Sequence, residues 1–391
     1  MIPDKKVVLH KGKEKPIKNK HHWIFSGAIR SLPEHEPGEI MSVVSYDQEP
    51  LGSAYFNKKT SITGRMIAFG TTPPLEAIKQ HIIQAIAMRA HFFDHHITNA
   101  YRLINGEGDM IPGLIIDKYN NVLVLQISTM GMEKMKSFIT ETLVELLAPV
   151  CIYEKSLLPS RKEEGLQDAE GILYGALPKE IQIIENKLQF TIDILHGQKT
   201  GFFLDQREMR KLVQSYAEGK RVLNCFSYTG GFSVYAKQGG AKSVDSVDIS
   251  KDAITLCRKN MERNGFYGPE NKFLVDDVFE FLRKNPIDQD FVILDPPAFV
   301  KTKKDVIQGC RGYKDINRLA LSKMPKESLL LTSSCSHYVD ETLFQTVVFQ
   351  AAIEAKRNVR IIQKHHLAVD HPINIFHPET AYLKSLLLYV T

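Results

Sequence analysis

Hydrophobic residues change their spacing twice along this chain. Between residues 5 and 70 they come in short runs: Val7-Val8-Leu9, Glu39-Ile40-Met41-Ser42-Val43-Val44, Leu51-Gly52-Ser53-Ala54-Tyr55-Phe56 and Ile62-Thr63-Gly64-Arg65-Met66-Ile67. Gly, Pro and Asp punctuate them, which predicts a small barrel or sandwich of strands. Thr71-Thr72-Pro73-Pro74 reads as a linker. From Leu75 the period becomes helical. Leu75, Ile78, Ile82, Ile86 and Phe93 predict an amphipathic helix over 75–97. Residues 114–117 and 122–127 flank Lys-Tyr-Asn-Asn and predict a hairpin, with a second helix over 132–147. A further hairpin joins 181–184 to 188–194 through Glu185-Asn186-Lys187, so this middle stretch reads as α+β.

The second change comes near residue 195, where strands and helices alternate. The apolar strands are 222–225, a segment ending at Asp248, 272–275, 291–295 and 328–332, with helices from about 231 and over 250–264. Repeated β-α units predict a parallel, doubly wound sheet. Ligands of such sheets bind beyond the carboxyl ends of the strands, and each of these strands carries a polar or reactive group there.

With 391 residues, 43% hydrophobic and 24% charged, the chain has material for two or three globular domains. No run approaches the roughly 20 apolar residues of a membrane span, and no apolar segment follows the N-terminus as in a secretory signal. Five cysteines, an odd number, predict a reducing cytoplasm rather than a disulfide framework. No local Cys or His spacing suggests zinc, so no metal is expected. The net charge is +5, but residues 1–30 alone carry eight Lys/Arg and two Asp/Glu, leaving −1 for the remainder. A basic end on a nearly neutral body suits a polyanion.

Candidate chemistry clusters after the predicted strands. Phe226-Ser227-Tyr228-Thr229-Gly230-Gly231 leads into a helix. Glycine lets backbone approach a ligand, and a helix N-terminus favours an anionic group. Asp248, at the end of the next strand, can accept from both ribose hydroxyls. Asp277 can take an adenine amino group or cap the following helix. Asp295-Pro296-Pro297-Ala298-Phe299 places an acid on a rigid turn beside an aromatic ring able to stack on a base. Thr332-Ser333-Ser334-Cys335-Ser336 forms a turn of small polar residues that exposes a thiol. Residues 196–207, with Lys199, Thr200 and Gln206, offer groups for a carboxylate or phosphate. Arg311, Tyr313 and Lys314, after the Asp-Pro-Pro turn, suit a nucleic acid, with a plain surface loop as the competing reading.

These stretches together resemble class I S-adenosylmethionine-dependent methyltransferases, and more closely the ribosomal RNA large subunit methyltransferase I family. The segments GQKTGFFLDQR, VLNCFSYTGGFSV, VDSVDIS, DDVFEFL, DPPAFV, CRGYKDIN and SSCS occur in the family's order over 196–336. HHWIFSGAI and YRLINGEGDMIPGLIIDKY extend the likeness towards the N-terminus, although the family often has proline where this chain has His22. The resemblance implies an α/β fold: a small β-barrel PUA domain (1–72), a central α+β domain (75–185) and a Rossmann-like methyltransferase domain (186–391). The last would have a mostly parallel sheet that ends in an antiparallel strand over 381–390, after a sixth strand near 359–363.

The implied activity is 5-methylation of a cytidine in large-subunit (23S) ribosomal RNA by a cytoplasmic enzyme with no membrane partner. The implied cofactor is S-adenosyl-L-methionine. Cys335 and Asp295 would be catalytic. Phe226, Tyr228, Thr229, Gly230, Asp248, Asp277, Lys199, Thr200 and Gln206 would bind the cofactor. Pro296, Pro297, Phe299, Arg311, Tyr313 and Lys314 would face the RNA, with Phe299 and Tyr313 assisting extrusion of the base.

Three other readings compete. Asp-Pro-Pro-aromatic also resembles enzymes that methylate guanine or adenine nitrogens, which need no nucleophilic cysteine. A related guanine-methylating family has no Ser-Cys-Ser here, so Cys335 discriminates. An inert methyltransferase fold acting as an RNA-binding assembly factor is the second alternative. An NAD-dependent oxidoreductase is the third, and the missing G-x-G-x-x-G argues against it.

Overall fold

The computed structural model describes residues 3–391, and the chain forms two compact units. One comprises the chain up to Lys187 together with Ile192–Gly201 and Val369–Thr380; the other comprises Leu188–Thr191, Phe202–Ala368 and Ala381–Thr391.

The first unit carries two sheets. Six strands, β1 (Lys6–Leu9), β2 (Trp23–Ile24), β3 (Ile29–Ser31), β4 (Glu39–Val44), β5 (Pro50–Phe56) and β6 (Gly64–Phe69), form a mixed sheet in the order β2-β6-β5-β4-β1-β3. Only β1 and β4 run parallel in it. Val7, Leu9, Met41, Val43, Ala54, Phe56 and Met66 alternate inward and close its core. Five strands, β7 (Ala100–Asn105), β8 (Leu114–Tyr119), β9 (Val122–Ile127), β10 (Cys151–Ser156) and β11 (Ala169–Gly175), form the second sheet in sequential order. The β8–β9 hairpin expected from the sequence is present, with Asn120 at φ +57° in its turn.

The expected helix over 75–97 spans Pro74–Phe92 instead. Asp94 accepts the His96 N–H and starts a turn there, while Phe93 stacks on Tyr101. The second expected helix is divided at Met135 into Met130–Lys134 and Lys136–Leu147. Strands β12 (Ile181–Glu185) and β13 (Leu188–Ile192) flank a turn in which Asn186 and Lys187 have positive φ, as the expected hairpin requires.

The second unit is built on seven strands: β14 (Arg221–Cys225), β15 (Ser243–Asp248), β16 (Lys272–Val275), β17 (Phe291–Leu294), β18 (Ser328–Ser334), β19 (Val359–His365) and β20 (Lys384–Val390). Their order is β16-β15-β14-β17-β18-β20-β19. The first five are parallel, and β20 lies antiparallel between β18 and β19. The order reverses at β14, so β14 and β17 flank the switch point where doubly wound sheets bind ligands. Leu223, Cys225, Val292, Leu294, Leu330, Leu386 and Leu388 fill the sheet's interior.

The surface-loop reading fails here. The segment containing Arg311, Tyr313 and Lys314 is not a loop but part of a helix, Val306–Lys323. Its buried positions are Gly309, Tyr313, Ile316, Asn317, Leu319, Ala320 and Leu321, and all but Leu319 follow helical spacing. One of these positions, Gly309, and the half-buried Gly312 carry no apolar side chain to count. They are needed for packing: a Cβ on Gly309 would meet Val300 Cγ2 at 2.3 Å, and one on Gly312 would meet the Phe299 ring at 3.1 Å.

Candidate active site

The turn after β14 is strained in a specific way. Phe226 (φ +57°), Tyr228 (φ +45°) and Gly230 (φ +81°) all adopt left-handed backbone within five residues. Non-glycine residues in that region cost about 1–3 kcal/mol each and cluster at functional sites. The surroundings enforce the conformation. Asn260 Nδ2 donates to Thr229 O at 2.9 Å. Asn224, Ser233 and Ser246 form a buried hydrogen-bonded chain under the start of helix Gly231–Gln238. A Cβ on Gly230 would lie 2.4 Å from Cys257 Sγ, so only glycine fits.

Asp248, at the end of β15, reaches this turn. Its Oδ2 accepts from Tyr228 N at 2.8 Å and its Oδ1 from Ser250 N at 2.9 Å. Asp277 caps helix Val278–Lys284 through Oδ1, which accepts from Glu280 N at 3.0 Å. Ser227 Oγ, Thr229 Oγ1 and Gln206 Oε1 are buried polar atoms with no partner in the protein. Buried groups of this kind normally find a partner, so their grouping around a strained turn fits a polar ligand at the carboxyl edge of β14.

Two strands away, the acid and the thiol come together. β17 and β18 are parallel neighbours in register Leu294↔Thr332, so Asp295 and Cys335 leave adjacent strands at the same edge. Cys335 Sγ lies 3.9 Å from Pro296 O. Gln206 Nε2 donates to Asp295 Oδ1 at 2.9 Å, which fixes the carboxylate. Ser336 joins the two turns: its Oγ accepts from Val300 N at 3.1 Å and exchanges a hydrogen bond with the Tyr313 hydroxyl at 2.8 Å. Its carbonyl accepts from Lys384 Nζ at 2.5 Å, and the same ammonium donates to Tyr382 O at 2.7 Å. Lys384 sits opposite Ser334 in the β18–β20 register and is 6% exposed. Burial pulls its ammonium down to about 8, partly opposed by the neighbouring Cys335 and Asp340.

The other thiols are poor nucleophile candidates. Burial pushes Cys257 up to about 12 and raises Cys151, Cys225 and Cys310 as well. Cys335 is the half-exposed thiol at a strand end beside a carboxylate.

The remaining expected residues fall into different places. Phe299 is half-buried and packs on Tyr313 and Phe279 at ring separations of 4.6 and 5.8 Å. Pro296 is buried and Pro297 exposed at the turn. Tyr313 is fully buried, which corrects its expected role at the RNA surface: its ring is in the core and its hydroxyl holds Ser336. Two residues of helix rotate the chain by about 200°, so Tyr313 faces inward while Arg311 stays exposed. Lys314 is half-buried in an ion pair with Glu354.

Lys199 and Thr200 belong to the first unit. Lys199 is exposed with φ +50°. Thr200, 1% exposed, donates to Asp117 Oδ2 at 2.6 Å and shares a hydrogen bond with Tyr119 at 2.8 Å.

Sequence reasoning missed Lys384 and Ser336 as supports of the site. The signal for Lys384 was present as a single charge in the otherwise apolar strand KSLLLYV.

Residues 165–346 match the family model of S-adenosylmethionine-dependent methyltransferases, and residues 7–69 match a PUA-like domain. The chain is 39% identical to ribosomal RNA large subunit methyltransferase I of Klebsiella pneumoniae (strain 342), over 97% of each chain. It is 40% identical to the protein of that name from Vibrio cholerae, over 97% of this chain and 98% of the other. Among solved structures, SMU.776 complexed with SAH superposes with a TM-score of 0.84. That likeness covers 99% of this chain and 100% of the other at 25% identity. Similarity of 39–40% identity over nearly the full length therefore places the chain in the ribosomal RNA large subunit methyltransferase I family of S-adenosylmethionine-dependent methyltransferases.

Proposed function

We propose that the chain methylates C5 of a cytidine in large-subunit ribosomal RNA, with Cys335 as nucleophile. The observation that carries this reading is the Asp295–Cys335 pair at one sheet edge, with Cys335 Sγ 3.9 Å from Pro296 O. Nitrogen methylation has use for the Asp-Pro-Pro turn but none for a thiol beside it.

Cytosine C5 is a weak nucleophile. Addition of the Cys335 thiolate to C6 forms an S–C6 bond and moves the C5–C6 π electrons onto C5, splitting one hard step into easier ones. Bound S-adenosylmethionine supplies the electrophilic methyl group. Loss of the C5 proton and departure of the thiolate then restore the C5–C6 double bond. Asp295, held by Gln206, accepts from the amino group of the base with one oxygen and, in its protonated form, donates from the other to N3, which stabilises the adduct. Lys384 holds the carbonyl next to Cys335 and places a positive charge where the thiolate forms. The base must leave its stack to reach this edge.

The cofactor residues divide by position. Asp248 takes the ribose, Asp277 the adenine amino group through its second oxygen, and the 226–230 turn the methionine end. The orphan polar atoms of Ser227 and Thr229 support the last assignment. Gln206 serves Asp295 through its amide nitrogen and offers its buried Oε1 to the ligand. Thr200 acts by fixing its own segment on Asp117, which orients Lys199. Arg311 and the basic N-terminal stretch contact phosphates, which makes RNA binding salt-sensitive.

The test compares wild type with Cys335→Ala on large-subunit ribosomal RNA and methyl-labelled cofactor, identifying the labelled nucleoside by mass. Labelled 5-methylcytidine from wild type and none from the variant is expected. Label from both proteins, or on a purine nitrogen, overturns the reading.

A further inference from the structure

His21, His377 and Glu379 meet in the first unit, although His21 and Glu379 are 358 positions apart. One ligand-capable atom from each lies within 4.8 Å of the others. His21 Nε2 is 3.4 Å from Glu379 Oε1, and His377 Nδ1 is 3.7 Å from Glu379 Oε2. Metal–ligand bonds of about 2.0–2.2 Å in a tetrahedron put neighbouring ligand atoms about 3.3–3.6 Å apart. The two histidine–carboxylate distances lie close to these values, and the three groups, all within 4.8 Å of one another, would draw together on binding.

The state of the imidazoles points to a ligand independently. His377 is 0% exposed, and neither of its ring nitrogens has a hydrogen-bond partner. His22, also fully buried, is in the same condition, and its ring stands edge-on to His377 with centroids 5.9 Å apart. Leaving a buried polar group without a partner costs about 1–3 kcal/mol. Imidazole nitrogens this deeply buried and unpartnered are open to an ion.

Charge and rigidity agree. Trp23 packs on His377 with ring centroids 4.4 Å apart, and its Nε1 donates to the Glu107 carboxylate at 2.8 Å. With Glu379 this carboxylate brings two negative charges to the group, which would balance a dication. The segment carrying His377 is anchored by Asp370, whose carboxylate accepts Arg102 N at 2.8 Å and whose carbonyl accepts Arg89 Nη2 at 2.8 Å.

We propose that His21, His377 and Glu379 bind a divalent cation of the Zn2+ class, with water in the fourth position. Two imidazoles and one carboxylate in this geometry suit zinc better than the oxygen-seeking Mg2+ or Ca2+. The ion ties the segment around Trp23 to a loop near the other end of the sequence. This departs from the expectation of no metal, which rested on local spacing and could not see ligands brought together by the fold.

The test uses the metal-stripped full-length protein, titrated with Zn2+ alone by calorimetry and with Co2+ alone by visible absorption. Wild type is expected to bind one ion at this site, show the ligand-field band of four-coordinate Co2+, and melt at a higher temperature with Zn2+. His377→Ala should abolish binding. Glu379→Gln, at a half-exposed position that leaves the fold intact, should weaken it by about tenfold or more. Asp94, His95 and His96 form a second, fully exposed group, so His95→Ala/His96→Ala is the control and should leave the strong site unchanged. Binding lost only in that control, or unchanged in both Glu379→Gln and His377→Ala, would overturn the assignment. So would the absence of any binding to wild type.

Discussion

Replacing Ser336 with alanine removes one oxygen and tests how the reactive turn is held. Ser336 Oγ accepts from Val300 N at 3.1 Å and shares a 2.8 Å hydrogen bond with Tyr313. All three residues are buried. The substitution therefore orphans one buried N–H, at about 1–3 kcal/mol, and deletes one hydroxyl pair worth about 1 kcal/mol. The sum is about 2–4 kcal/mol. For a unit near 200 residues, each kcal/mol shifts the midpoint by about 2–4 °C, so melting should fall by roughly 5–15 °C. Below that midpoint the folded variant should transfer methyl slowly with unchanged cofactor affinity, because the link between the Asp295 and Cys335 turns is lost while the Asp248 side is untouched. Thermal unfolding by circular dichroism, cofactor calorimetry and single-turnover methyl transfer read the three quantities. Ser336→Thr, which keeps the hydroxyl, should recover the transfer rate. A variant that melts within 1 °C of wild type and turns over normally would refute the reasoning.

Lys384 gives a pH prediction with two opposite signs. Its folded value, lowered by burial to about 8, lies below the ordinary 10.5. The unfolded chain thus binds the extra proton between these values, and stability should rise as pH goes from 8 towards 10.5. Activity should instead fall through about pH 8 as the charge beside Cys335 disappears; a Lys384→Arg variant, charged throughout, should lose that fall, and an identical profile in both proteins would dismiss the role. Gly230→Ala places a Cβ 2.4 Å from Cys257 Sγ at φ +81°. It should cost about 2–4 kcal/mol and abolish cofactor binding by calorimetry; normal binding would show that the turn is not the ligand site.

Much of the second unit was legible because its strands are short apolar runs ending in distinctive groups. The parallel β-α units and the antiparallel β20 match what the repeated pattern and the family resemblance implied. Elements that hide their period were missed. β7 carries Arg102, buried because it pairs with Asp117 through two hydrogen bonds at 2.8 and 3.0 Å, so a charge interrupts its apolar run. Helix Val306–Lys323 uses glycine where packing leaves no room for a side chain. Residue type identified Asp295 and Cys335 as chemical groups, but their fastening could not be read locally. Gln206 reaches Asp295, while Tyr313 and Lys384 reach Ser336 beside Cys335; the three come from separate elements that only the fold brings together.

The central claim is substitution at C5, and the most direct measurement follows the C5 hydrogen. Large-subunit ribosomal RNA carrying deuterium at cytidine C5 is incubated with the protein and S-adenosylmethionine, and the methylated nucleoside is analysed by mass. The account predicts loss of one deuterium for each methyl gained, and no loss with Cys335→Ala. Methylated nucleoside that retains its deuterium would contradict it.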